Sequence, residues 1–518
     1  MPRTDWLSRN ALYTPDASAL VWAPTGETYT YAELHRAGER LAAGLAERFD
    51  LSKGDRIAVL AENTMEHVLL FCAAQKAGYV LVPLNYRLAE SELEYLVSDS
   101  EPHVLFASRE YGDTARSLDG GGTVVTLGAV EEIISSAGMS SHPFGESSRR
   151  DDSTMNVGME DRERPNLDDP LMILYTSGTT GRPKGAVISH KMLFWNSVNT
   201  ELRLNLTGED RSFNAAPFYH TGGWNVLLTP FLHHGATTYL FPSFDPGAVL
   251  RTCEEEDLTI LWGVPTMLKM MADHEAFDDV SLDTIRYAVV GGEAMPEPLI
   301  RTWQDKGVPI RQGFGMTEVG VNCFSLPERD ALRKIGSIGF PNFYVDATVV
   351  DEDGEEVPPN TTGELLMRGP VVTPGYWRDP EATEEVIDED GWFHTGDLVE
   401  VDEEGYYYVV GRKHDMFISG GENVYPAEIE SVLYEHPSVD DAAVVGVPDE
   451  EWGEVGAAFV VPDGDLSPEA VTGHCREHLA KYKVPTYVRM LDELPLGDSG
   501  KVDKAALRDR FDTASNTP

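Results

Sequence analysis

At 518 residues the chain is longer than one hydrophobic core normally supports, so two or more domains are expected. Its 87 Asp plus Glu against 41 Lys plus Arg give a formal net charge of −46, which disfavours a nucleic-acid partner because phosphate binding needs basic patches. No run approaches the ~18 apolar residues of a membrane span, and the start lacks the charged-then-apolar pattern of a signal peptide, so a cytoplasmic globular protein is the expectation.

The acidic residues are spread through apolar-rich segments instead of forming one tail. We read this as adaptation to a high-salt cytosol, where salt screens the self-repulsion that such charge causes. Cys72, Cys253, Cys323 and Cys475 lie far apart with no CxxC or Cys/His ligand spacing, and read as small buried thiols.

The first ~135 residues alternate helix-like and strand-like segments, a βαβ pattern. "AELHRAGERLAAGLAERF" reads as an amphipathic helix and "DRIAVLAEN" as strand and turn. "EHVLLFCAAQKAG" is a helix closed by glycine, followed by the strand "YVLVPLN". Residues 139–169 are polar and read as a connector. Farther on, "LTILWGVPTMLKMMAD" is a strand, then a helix with Pro265 near its first position, and "IRYAVVGGEAMP" and "VPIRQGFGMTEVG" are strands running into loops. In open α/β sheets such loops converge on one crevice. From about 411 the texture changes to a compact α+β unit, with Pro426 and the pair Ser467–Pro468 at helix starts.

"LMILYTSGTTGRPKG" (171–185) breaks from an apolar strand into hydroxyls, glycines and one lysine. Backbone N–H groups of a Gly-rich turn, joined by Thr176, Ser177, Thr179, Thr180 and Lys184, suit phosphate oxygens. A Walker A loop is excluded, because Pro183 precedes the lysine and Gly185 follows it where GK[ST] is required.

The loop resembles the phosphate-binding signature of the adenylate-forming enzymes, the superfamily of acyl- and aryl-CoA synthetases, adenylation domains and firefly luciferase. Further stretches similar to that family follow in order: "GGEAMP" (291–296), "GFGMTE" (313–318), "HTGD" (394–397), "GRKHDMFISGGENVYPAEIE" (411–430) and "PLGDSGKVDK" (495–504). The resemblance covers nearly the whole chain. It implies an α/β fold with a large N-terminal domain over 1–411, built of several subdomains with parallel-rich sheets and a β-barrel-like part. A small mobile α+β domain over 412–518 would close over it, with the hinge near His414.

It also implies residue roles. Thr176, Ser177, Gly178, Thr179, Thr180, Gly181 and Lys184 would hold ATP phosphates. Gly292, Glu293, Ala294, Gly313, Phe314, Gly315, Met316 and Thr317 would form the adenine and active-site loops. Glu318 would help position Mg²⁺, Asp397 would accept from the ribose hydroxyls, and Arg412 would contact ribose or phosphate. Lys501 would bridge the acyl carboxylate and the α-phosphate as a catalytic cation. His220, Gly223, Trp224 and Gly320 would line the acyl pocket, His220 also acting in catalysis; for Trp224, pocket lining and core packing weigh equally. Ser419, Gly420, Gly421 and Glu422 would line the coenzyme A tunnel. His414 departs from the Asp or Lys usual at the hinge.

The implied reaction is ATP-dependent acyl-AMP formation with release of pyrophosphate, then transfer to CoA. The room suggested by Met316, Val319 and Gly320 points to a medium- or long-chain fatty acid. An aryl acid, a stand-alone adenylation enzyme loading a carrier protein, and a catalytically dead homologue are the alternatives; a homodimer is the assembly to test.

If the acidity is an adaptation to salt, the thermal midpoint should rise steeply with potassium chloride and the chain should unfold at low ionic strength. Equal stability at both extremes, followed by circular dichroism, would remove that reading.

Overall fold

The computed structural model describes residues 4–137, 164–176, 182–413, 415–419, 422–449, 452–497 and 502–515. Most of the expected connector, up to residue 163, lies outside these.

The N-terminal βαβ pattern folds into a six-stranded sheet in the order Thr123–Thr126, Val104–Ala107, Arg56–Leu60, Val80–Leu84, Pro170–Thr176, Lys184–Ser189. All its pairings are parallel except the last. The predicted amphipathic helix is Tyr31–Phe49, started by a Thr30/Glu33 capping box and buried along Leu34, Leu41 and Leu45. The predicted glycine stop is real: Gly78 closes helix Met65–Ala77 at φ +75°.

A four-stranded sheet joins chain-distant pieces in the order Glu27–Thr30, Ser18–Trp22, Thr237–Leu240, Arg211–Asn214. A nine-stranded sheet begins with three parallel strands, Ile260–Gly263, Tyr287–Val290 and Ile310–Met316. It turns antiparallel at Gly320–Ser325 and continues through Ser337–Pro341, Tyr407–Arg412, Phe393–Val401, Gly363–Arg368 and Asp346–Val350. The sheets of the large N-terminal part are therefore mixed. The strand order of the antiparallel half is an open path among the described residues, where a β-barrel-like part was expected without a place in the chain.

The small C-terminal part has its own sheet: Glu422–Val424, Phe417–Ser419, Gly453–Pro462 and Val439–Asp449, with Tyr487–Met490 parallel to Gly453–Pro462. Ile429 and Leu433 of helix Pro426–Tyr434 pack on one face with Val471 and Cys475 of helix Pro468–His478. Leu507 and Phe511 of helix Lys504–Ser515 pack on the other. Chain membership thus passes from the nine-stranded sheet to the C-terminal sheet between Arg412 and Phe417. Lys269 of helix Pro265–Ala272 reaches Asp440 of the C-terminal unit at 2.9 Å. All four cysteines are free and buried, and no described helix is long and apolar enough to cross a membrane.

Two buried histidines couple this packing to pH. Burial lowers His67, packed on Phe218, from 6.5 to about 3, and lowers His190 at the start of helix His190–Leu204 to about 4. The unfolded chain takes up protons below 6.5 that the folded chain refuses, so their contribution is complete above that pH. Stability should fall as pH drops from 6.5 towards 4. Thermal midpoints at fixed high ionic strength would show the slope, and His67→Gln should make it shallower while His190 keeps its share.

Candidate active site

The apolar residues Leu171 to Leu174 bury the strand Pro170–Thr176 in the sheet, and the chain returns as Lys184–Ser189 with Thr176 opposite Lys184. That pair is the neck of the phosphate-loop motif. Ser177, Gly178, Thr179, Thr180 and Gly181 lie outside the described residues. The neck is braced from behind. Tyr175 Oη donates to Asp99 Oδ2 (2.6 Å), and Tyr95 Oη donates to the carbonyl of Pro183 (3.1 Å). Burial and the Asp99 carboxylate push the Tyr175 phenol up, so it remains a donor. The Lys184 ammonium sits 5.3 Å from the Tyr376 ring centroid and 3.8 Å from the exposed Glu385.

Glu318 is only 5% exposed, and this burial decides what surrounds it. Its Oε1 accepts from Thr176 Oγ1 (3.1 Å) and from Tyr376 Oη (3.2 Å). Its backbone carbonyl accepts from Thr373 N (2.7 Å). The "GMTE" and phosphate-loop motifs, 142 residues apart in sequence, are therefore joined directly. A buried carboxylate with one oxygen engaged is the hard donor that suits Mg²⁺.

The other predicted loop stands beside it. Gln312 Oε1 accepts from Met295 N (3.1 Å), and its Nε2 donates to Glu293 O (2.9 Å), tying "GGEAMP" to the strand that carries "GFGMTE". Gly292, at φ +90°, Glu293 and Ala294 form an exposed rim. Gly313, Phe314, Gly315, Met316 and Thr317 are half-buried. A Cβ on Gly315 would stand 2.3 Å from the carbonyl oxygen of Gly320, so only glycine fits this hairpin.

Asp397 and Arg412 face each other on adjacent strands, with Arg412 Nε 2.5 Å from Asp397 Oδ1. Asp397 N donates to Thr395 Oγ1 (3.0 Å), and the side chain of Asp397 is almost fully buried while that of Arg412 is 40% exposed. The pair thus offers a fixed acceptor beside a reachable cation.

His220 precedes the short helix Thr221–Asn225 and packs on Tyr219 at 4.6 Å between ring centroids. The turn beneath it is tight. A Cβ on Gly223 would lie 2.5 Å from the carbonyl oxygen of Pro217, and Asn63 bridges Ala216 O (2.8 Å) and Phe218 N (3.0 Å). Trp224 resolves as core. It has no exposed surface, stacks on Phe218 at 4.2 Å and donates from Nε1 to Phe218 O (2.6 Å). It does not line a pocket. Gly320 also needs a different account. It sits at φ +84°, which selects glycine for backbone reasons, and a Cβ there would meet Asn196 Oδ1 at 3.3 Å. Its small size therefore gives no measure of pocket length.

Ser419 is buried and pairs across the strand with the exposed Glu422. His414, Gly420, Gly421 and Lys501 lie outside the described residues. Gln312, Asn63 and Tyr376 were missed by the sequence reading; for Tyr376 the available signal was "TPGYW" (373–377), an unexplained glycine–aromatic pair. A cavity of about 770 Å³ between Glu47–Asp50 and Thr123–Thr126 is lined by none of the motif residues and belongs to no part of this site.

The phosphate-loop neck is joined to the buried carboxylate, and the same sheet that carries Glu318's hairpin carries the Asp–Arg pair. The chain matches the family model of the AMP-binding enzymes over residues 7–377 and that of the AMP-binding enzyme C-terminal domain over 428–501, and it belongs to this family. It is 40% identical to a feruloyl-CoA synthase of an Amycolatopsis species over 508 residues, 98% of each chain. It is 34% identical to the long-chain-fatty-acid–CoA ligase FadD13 of Mycobacterium tuberculosis, over 99% of each chain. Among solved structures, ATP-bound MatB from Rhodopseudomonas palustris superposes with a TM-score of 0.87 at 32% identity, covering 98% of this chain and 99% of that one. The protein is an acyl- or aryl-CoA ligase, an AMP-forming acid–thiol ligase that uses ATP, Mg²⁺ and CoA.

Replacing Gly315 by Ala should displace the hairpin that carries Glu318. A misplacement of about 1 Å in a catalytic constellation costs on the order of 100-fold, and kcat/KM for ATP should fall by about that factor, with a lowered melting temperature from the backbone clash. Wild-type kinetics would remove the steric argument.

Proposed function

We propose that this ligase activates an aromatic carboxylic acid, ahead of the medium- or long-chain fatty acid that the sequence suggested. The reading is supported by the greater identity to the feruloyl-CoA synthase than to the fatty-acid ligase (40% against 34%). The backbone explanation of Gly320 also removes one of the three residues, with Met316 and Val319, on which the expectation of a long pocket rested.

The single observation that carries the site assignment is the bond between Thr176 and Glu318, which sets the phosphate loop beside a buried carboxylate. In this reading Thr176, Lys184 and the loop between them hold the ATP phosphates, and Glu318 is the metal-facing carboxylate. Mg²⁺, when bound, supplies charge neutralisation at the phosphates. Gly292 to Ala294 and Gly313 to Thr317 border the adenine, Asp397 accepts from the ribose hydroxyls, and Arg412 lies beside ribose or phosphate. The substrate carboxylate attacks the α-phosphorus, the bond to the bridging oxygen breaks, and pyrophosphate leaves. Lys501 offsets the charge that develops in this step. His220 borders the acid and the thiol entry.

The change of sheet between Arg412 and Phe417 supports a hinge at His414 and a division at 411/412. Rotation there withdraws Lys501 and brings Ser419 to Glu422 to the thiol path, after which the CoA thiolate attacks the acyl carbonyl and AMP departs. High-salt adaptation remains part of the proposal, supported by the net charge of −46.

ATP–pyrophosphate exchange in high potassium chloride tests the reading, over benzoate, cinnamate, octanoate and palmitate, with thioester formation measured on adding CoA. Exchange and thioester with the aromatic acids are expected; exchange confined to octanoate or palmitate would return the fatty-acid assignment. Lys501→Ala should abolish exchange yet still form thioester from synthetic acyl-AMP, and equal loss of both half-reactions would refute its role.

A further inference from the structure

The segment Thr373–Trp377 belongs to none of the motifs read from the sequence, yet it touches two of them. It lies alongside Lys184–Ser189, joined to it by backbone hydrogen bonds. Val187 N donates to Gly375 O (3.1 Å), Trp377 N donates to Gly185 O (2.7 Å), and Tyr376 bridges Ala186. Thr373 Oγ1 donates to Val187 O (2.7 Å) while Thr373 N donates to Glu318 O (2.7 Å). Tyr376 N donates to Thr383 Oγ1 (2.9 Å). Gly375 sits at φ +137°, where a Cβ would stand 2.5 Å from Thr383 Cγ2, so the turn before Tyr376 admits only glycine. The ring of Tyr376 is thus aimed by its backbone.

Its two functional parts point at two motifs. The hydroxyl donates to Glu318 Oε1 (3.2 Å), the same oxygen that accepts from Thr176. The ring centroid lies 5.3 Å from Lys184 Nζ. Both hydrogen bonds fall on Oε1, and among the described residues Oε2 accepts none. A carboxylate pinned through one oxygen keeps a single orientation and presents the other. The ring is one of two groups that orient this ammonium, the other being the exposed Glu385 carboxylate at 3.8 Å.

We propose that Tyr376 is a positioning residue for adenylation. Its hydroxyl turns Glu318 so that Oε2 faces the cation, and its ring aims Lys184 at the nucleotide phosphates. The proposal rests on the roles given above to Glu318 and Lys184.

The test uses the full-length protein, with Mn²⁺ as a spectroscopic probe for the divalent cation. Tyr376→Phe keeps the ring and its packing. It should weaken Mn²⁺ binding to the ATP-bound protein about tenfold, read by electron paramagnetic resonance, the usual scale for losing a group that orients a metal ligand. ATP binding in EDTA should not change. Tyr376→Leu should in addition weaken ATP binding in EDTA roughly threefold or more, because Lys184 loses its ring. Wild-type Mn²⁺ affinity in Tyr376→Phe would overturn the hydroxyl's role. Equal ATP affinity of the Leu and Phe variants in EDTA would overturn the ring's role. Glu318→Gln separates the failures: if it too binds Mn²⁺ like wild type, the reading of Glu318 falls and the proposal with it. If Glu318→Gln is weakened while Tyr376→Phe is not, only the proposal falls.

Discussion

A charged carboxylate taken out of water must be met by donors, and the architecture around the site follows from meeting that need at Glu318. The side chain is 5% exposed and accepts from Thr176 and Tyr376, while its carbonyl accepts from Thr373 N. Those donors come from two separate places: the end of strand Pro170–Thr176, and the segment Thr373–Trp377 that lies beside strand Lys184–Ser189. Neither Thr176 nor Tyr376 can move away without leaving the buried carboxylate short of a donor, and Thr373 fixes the backbone beneath it. The phosphate loop's neck and the metal-facing carboxylate are held together by the same bonds.

The mixed topology of the large N-terminal part makes this convergence possible. Strand Ile310–Met316 pairs parallel on one side and antiparallel on the other, so it is the place where the nine-stranded sheet changes character. The tight hairpin that follows carries Glu318 and needs Gly315 because backbone oxygens occupy the space of a side chain. Farther along the same sheet, Asp397 and Arg412 sit opposite each other on neighbouring strands. A cross-strand pair of this kind is rigid through its ladder, so the acceptor and the cation keep their spacing. The chain then leaves this sheet and builds a second, smaller one with helices on both faces.

Packing also reassigned residues that chemistry alone had suggested. Trp224 is part of a buried aromatic stack with Phe218 and Phe71, and an indole of that size gains more from full burial there than from lining a wet pocket. It supports the turn that carries His220. Gly320 suggests open space from its size alone, but its positive φ is sufficient reason for glycine. Gln312 and Asn63 are the opposite case. Neither stands out in the sequence, yet each uses both ends of its amide to hold a functional loop.

The sequence by itself determined the family, the order of the motifs, the N-terminal βαβ alternation and the helix stops at Gly78 and starts at Pro265 and Ser467. These are local properties, written in periodicity, capping residues and loop spacing. Only the tertiary structure decided that Ser18–Trp22 would pair with Thr237–Leu240, more than two hundred residues away. It alone decided that the antiparallel half would be an open ladder, that Trp224 would face the core, and that Tyr376 would join Glu318 and Lys184. Pairings between distant segments depend on how whole sheets pack, and nothing in the neighbourhood of a residue along the chain encodes which buried charge it will be asked to satisfy.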